Sequence, residues 1–188
     1  MHLARIAQIV LIVAALCACQ GPPAGQSPGA SQIGDEPVID SVSLASLTVD
    51  QLCSLMSAAE ASGLLGTSPG AAPAGAASAE GQGTECTYQP VAASNPIPGT
   101  YIRVEINRLG FSGQATLVEL HRGAHTLRVG GFQAIGADAQ KDPSVAEAVL
   151  SVKLAKAGSD PALWIEAPTS AIARQAAILI LPRLAALH

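Results

Sequence analysis

The sequence predicts an α+β domain, a largely antiparallel sheet with helices packed on one of its faces, in the order α-β-β-α-β-β-β-α. Three observations point there. "TYIRVEINR" and "AVLSVKLAK" alternate apolar and polar residues with the period of a half-buried strand. "SVKLAKAGSDPALWIE" joins two such stretches by a short connection, which favours an antiparallel hairpin. Helical spacing stands at both ends of this β-rich middle, in "DQLCSLMSAAEASGLLG" and in "SAIARQAAILILPRLAAL".

The chain opens with "MHLAR", one fixed positive charge, and continues into "IAQIVLIVAALCAC". That apolar run is too short to cross a hydrocarbon core, which needs roughly 20 residues. A basic start, a short apolar stretch and small residues make a secretory signal peptide over residues 1–18. Leu16, Cys17, Ala18 and Cys19 resemble a bacterial lipobox, in which the last cysteine receives diacylglycerol. Cutting before Cys17 would put bulky Leu16 at the cleavage site, so Cys19 is the expected lipidation site. An ordinary signal peptide that happens to contain cysteines is the plainer alternative. Several acyl chains on one cysteine, each methylene worth ~0.8 kcal/mol when buried, hold a protein stably where a single chain does not.

Residues 19–45 hold the lipidated cysteine and a stretch rich in Gly, Pro, Ser and Ala, read as a tether because it carries few large apolar groups. Its ~26 residues would span about 28 Å as a random coil. The extracytoplasmic domain is then expected over 46–188, a length that suits one domain. Thr48 with Gln51, and Ser57 with Glu60, are two capping-box signals in succession, and Gly66 ends the second helix. "TSPGAAPAGAASAEGQG" reads as a low-complexity loop. "TECTYQP" is short and β-prone, and "TYIRVEINR" puts Ile102, Val104 and Ile106 on one face. A helix over Ser112–Arg122 follows, with Ser112 as its cap. "HTLRV" is strand-like and "GGFQAIGADAQKDP" turn-rich; then come the strands "AVLSVKLAK" and "ALWIEAP". The closing helix starts at Thr169 or Ser170, with Pro182 expected to kink or shorten it.

The mature domain keeps Cys53 and Cys86, and an even pair in an exported chain reads as a disulfide. Zinc is the alternative, but two cysteines without neighbouring histidines do not complete a tetrahedral site.

"DQLCSLMSAAEASGLLG", a variable Gly/Pro/Ala loop, "ECTY", and "IGADA" before two strands and a terminal helix together resemble an actinobacterial (mycobacterial-type) lipoprotein family of unknown function. The resemblance covers most of residues 46–188, with "DQLC" where that family has "DPC". It places the family's cysteines at Cys53 and Cys86 and its Gly-Asp turn at Gly136 and Asp138. It implies an extracytoplasmic domain with one disulfide and no assigned activity.

The net charge of −4, with scattered basic residues, offers no footprint for nucleic acid or anionic lipid. His121 and His125 are four apart, but Gly123 between them ends the helix that a shared metal would need. "GFSGQ" lacks the second spacer of a nucleophile elbow. "GGFQAIGADA" has no Lys-Ser/Thr to hold phosphates. Asp138, Asp142 and Glu147 lack a repeated cation-loop pattern. No catalytic residue, metal or cofactor is therefore assigned, and no enzyme activity is expected.

What remains is the polar sheet face. Arg103, Glu105, Arg128, Lys153, Trp164 and Glu166 are expected to point away from the helices, and a Trp among charges can mark a contact surface. The alternative for Trp164 is inward packing. The expectation is a lipoprotein on the outer side of the cell membrane, held by its lipid anchor, that binds an envelope protein through this face. The other expectation is a carrier of an apolar ligand such as a lipid, in a cavity between sheet and helices.

Overall fold

The computed structural model describes residues 37–40, 44–67, 71–77, 83–90, 99–121, 123–138, 147–156 and 161–187. The expected signal peptide over residues 1–18, with Cys17, and also Cys19, Arg122, Asp142 and Pro143 lie outside them. Among the described residues no helix is long and apolar enough to cross a membrane.

The elements are α1 (Val49–Ser54), α2 (Ala58–Leu65), β1 (Ala71–Ala77), β2 (Gly83–Pro90), β3 (Ile102–Asn107), α3 (Gly110–Glu119), β4 (His125–Val129), β5 (Phe132–Ala137), β6 (Ala148–Lys153), β7 (Ala162–Ala167) and α4 (Ser170–Ala185). The strands form one antiparallel seven-stranded sheet in the order β1-β2-β3-β7-β6-β5-β4. β1 to β3 run as a meander. α3 then carries the chain across to the far edge, and β4 to β7 return strand by strand until β7 closes against β3. The domain is thus α+β, as expected, with a disulfide joining Cys53 to Cys86.

Both capping boxes form. The Thr48 hydroxyl accepts from the Gln51 backbone while the Gln51 side chain accepts from the Thr48 backbone, and Ser57 and Glu60 do the same one element later. Gly66, at φ 64°, ends α2, with Thr67 N–H donating to Ser62 O, a closure that wants a residue without Cβ. α4 is capped by Thr169, whose side chain accepts from Ile172 N–H. It runs through Pro182, which occupies an exposed position, and continues to Ala185. The expected shortening does not occur.

One face of the sheet holds the main core. Ile102, Val104, Leu163 and Ile165 are fully buried there under Leu52 and Met56 and under Ala173, Ala177, Ile180 and Leu184 of α4. Each such aliphatic side chain stabilises by ~1.5–3 kcal/mol on burial. The α4 alanines let that helix lie close to the strands.

Four expectations are corrected. The helices do not share one face: α3 covers the opposite side, where Val118 packs on Ile135, Ala137, Val149 and Trp164. The cause lies in the crossover, which takes α3 over β5, β6 and β7, and those strands carry apolar residues on both faces; β6 is buried from Ala148 to Val152. The presumed low-complexity loop contains β1, paired with β2 from Ala71↔Pro90 to Ala77↔Thr84. An edge strand accepts proline and small residues because one side of its backbone makes no ladder bonds.

The turn-rich segment contains β5, entered through Gly130 and Gly131 at φ 58° and 89°, the two-residue turn that joins antiparallel strands tightly. Gly136 belongs to that strand; a Cβ there would sit 3.3 Å from both Leu150 Cδ1 and Val149 O, so a larger residue would have to push these neighbours back by a few tenths of an ångström. Finally, the folded unit begins ahead of residue 46. Ile39 is 2% exposed and donates its N–H to Leu154 O at 2.7 Å, and Leu44 is equally buried. The compact unit runs from Asp35 to His188.

Candidate functional site

Among the described residues, α3 is the helix that lies on the face opposite the main core, and it covers part of it. Over β5, β6 and the near side of β7 lies α3; beyond it, β2, β3 and part of β7 present polar residues. Alternation in β3 buries Ile102, Val104 and Ile106 on one side and turns Arg103, Glu105 and Asn107 to the other. Register then aligns Glu85 with Glu105, Thr87 with Arg103, Glu105 with Trp164 and Arg103 with Glu166. A single guanidinium is surrounded by carboxylates drawn from three strands.

Arg103 meets Glu166 through Nη1 at 3.1 Å and faces Glu85 through Nε at 3.2 Å, the second as an ion pair without an aligned hydrogen bond. Glu166 also accepts from Tyr101 Oη at 3.3 Å and from Trp164 Nε1 at 3.0 Å. Thr87 Oγ1 donates to Glu85, and Asn107 Nδ2 donates to Glu105 at 2.9 Å. Asn107 Oδ1 in turn accepts from Leu109 N–H at 2.7 Å and so ties the cluster to the start of α3. Ser112, expected as the cap of this helix, lies inside its first turn, and the helix begins with no side-chain cap bond.

The charges do not balance. Burial, and then the neighbouring Glu85, push the Glu105 carboxyl above its ordinary value. Burial alone would lower the Arg103 guanidinium, but Glu166 and Glu85 hold it above its usual range. Burial, with Glu147 and then Glu166 beside it, also pushes the Tyr101 phenol far up. Like charges directly opposite on neighbouring strands are unfavourable. The cluster is therefore a partly dehydrated, acid-rich surface with one fixed cation. It is suited to drawing in a positively charged group.

The structure brings together Arg103, Glu105, Trp164 and Glu166 from the expected face. Trp164 itself is 8% exposed and packs beneath α3, offering the surface only its Nε1–H bond to Glu166. Arg128 is elsewhere: β4 lies four strands from β3, about 19 Å at ~4.8 Å per strand. There it donates to Gly131 O at 2.7 Å and borders an open groove of about 530 Å³ with Thr126, Leu127 and Gln133. Lys153 is half-buried at the end of β6, two strands from β3.

Glu85, Thr87 and Tyr101 belong to the cluster but were missed as site residues. Glu85 and Thr87 flank Cys86 in "TECTY", and alternation about the buried Cys86 was the available signal.

His121 ends α3 and His125 begins β4, where its ring contacts Gly123 O and Arg174. Asp138 follows β5 and Glu147 precedes β6. Among the described residues no group of His, Cys, Asp and Glu has the arrangement of a metal site. Between α4 and the sheet, a partly open space lined by Leu127, Leu150, Ala173, His125 and Arg174 amounts to about 10 Å³, room for one water and far short of an acyl chain. No protein family, curated protein or solved structure matches the chain.

Proposed function

We propose that the chain is a non-enzymatic lipoprotein, anchored through Cys19 on the outer side of the cell membrane, whose domain binds the cationic surface of an envelope protein. The observation that carries the binding reading is the half-buried polar cluster, where Glu85, Glu105 and Glu166 crowd around Arg103. A lysine or arginine arriving there relieves the repulsion between Glu85 and Glu105. A disulfide in the domain supports an oxidising, exported setting. The lipobox-like "LCAC" supports the anchor. A carrier of an apolar ligand draws no support from the small cavity beside α4.

The binding reading is tested by calorimetry of the full chain with an oligolysine peptide. Glu85→Gln with Glu105→Gln should abolish most of the heat, while Glu119→Gln on α3 should leave it unchanged. Equal binding by all three proteins would remove the cluster from consideration. For the anchor, metabolic labelling with a palmitate analogue should mark the wild type and not Cys19→Ser; full membrane retention of that variant would refute it.

A further inference from the structure

The three carboxylates around Arg103 do not share it equally. Its Nη1 meets Glu166 and its Nε faces Glu85, so both engaged nitrogens are turned to acids on the neighbouring strands. Glu105 lies on β3 itself, on the same face as Arg103. Among the described residues no ion pair reaches it. What it accepts is a bond from Asn107 Nδ2, a neutral amide, at 2.9 Å.

The groups that face Glu105 come from each element around it. Glu85 of β2 stands directly opposite on one side, and Trp164 of β7 on the other, with its Nε1–H turned to Glu166. The Glu105 Oε1 lies close over β2, where a Cβ at Gly83 would come within 3.0 Å of it. Tyr101 Oη donates to Glu166 and leaves Glu105 to itself. α3 brings its uncharged first turn, joined through Asn107, and carries Glu119 at its far end. Lys153 of β6 is two strands from β3, about 10 Å at ~4.8 Å per strand. Two negative groups therefore press on Glu105, and the nearest cation is already engaged by both of them. Burial, with Glu85 next, holds its carboxyl above the ordinary 4.5. A proton and an arriving ammonium or guanidinium relieve the same repulsion, so each weakens the hold of the other.

We propose that Glu105 is the proton-responsive member of the cluster, so that a cationic surface bound there is held at neutral pH and released as the surroundings acidify. This rests on the binding reading above and adds its regulation.

The test has two arms, both on the full chain. In the first, carbon NMR follows the Glu105 carboxyl without ligand, assigned by its loss in Glu105→Gln. The expected midpoint lies above 4.5 and moves down in Glu85→Gln, while Glu119→Gln leaves it in place. A midpoint at or below 4.5, or one that Glu85→Gln does not move, overturns the proposal whether or not anything binds. In the second arm, calorimetry measures oligolysine binding at about pH 7 and about pH 4.5. A carboxyl with a raised midpoint is more than half protonated at the lower pH, so Glu105 alone should weaken binding there by at least about twofold. Glu105→Gln should bind more weakly at neutral pH and lose that part of the pH dependence. The same pH dependence in wild type and Glu105→Gln overturns the proposal and leaves the binding reading standing. Absence of binding at both pH values refutes the binding reading, and the release falls with it.

Discussion

Removing the disulfide, with Cys53→Ala and Cys86→Ala together, tests what holds the first helices to the sheet. The bond ties α1 to β2 across a separation of 33 residues that contains α2 and β1, with Cα atoms 5.4 Å apart. In the chain-entropy treatment, releasing a loop of that length raises the entropy of the unfolded chain by about 12.5 cal/mol/K, or ~3.7 kcal/mol at 25 °C. Packing adds to this because Cys86 is fully buried. In a unit that runs from Asp35 to His188, each kcal/mol moves the melting temperature by about 2–4 °C, so the midpoint should fall by roughly 7–15 °C. Calorimetry of wild type and double variant under identical oxidising conditions measures the difference. A fall below about 3 °C would show that the unfolded chain is already restricted in this region, and would refute the entropic argument.

Three further expectations concern single contacts. Arg183 donates to Glu60 Oε2 at 2.8 Å and, with the Ser57 backbone, holds the Glu60 carboxyl down at about 2, against an ordinary 4.5. A lowered value means stability that is present above pH 4.5 and lost as pH falls toward 2. Glu60→Gln should remove about 1 kcal/mol or less at neutral pH, since the pair is partly exposed, and should flatten the acid limb of a urea-denaturation series. Gln114 and Ser151 are fully buried between α3 and β6, with Ser151 Oγ donating to Gln114 Oε1 at 2.7 Å. Ser151→Ala should cost about 1–3 kcal/mol, whereas Ser151→Ala with Gln114→Leu should be nearly neutral, as a double-mutant cycle by chemical denaturation would show. Trp164→Ala should cost about 3–5 kcal/mol because the ring fills the space under α3, and thermal melting would expose an unaltered protein at once.

The legible parts of the fold were those written in local chemistry. Thr48–Gln51 and Ser57–Glu60 cap their helices through neighbours three residues away, so the signal lies within one turn. β3 announces itself because one face is apolar and the other wet. β5 and β6 were harder. β6 is covered on both faces and its alternation shows only half of its environment, while β5 carries a closely packed glycine that reads as a turn. β1, made of Ala, Pro and Gly, carries no strand propensity at all and is a strand because β2 lies beside it. The candidate site divides in the same way. Arg103, Glu105 and Glu166 share a face by strand period alone, but the nearness of Glu85 and Tyr101 to them depends on which strands are neighbours.

Legible along the chain were the two faces of β3, the capped starts of α1, α2 and α4 and the two cysteines of the domain, because each depends on spacing within one element or on composition. Only the tertiary structure decided that α3 crosses to the second face, that Trp164 is covered, and that Ile39 is core. Those outcomes depend on the order β1-β2-β3-β7-β6-β5-β4, which places β7, last among the strands, against β3. Strand order is a matter of which apolar faces can be covered at once, and that is decided between segments far apart in the chain.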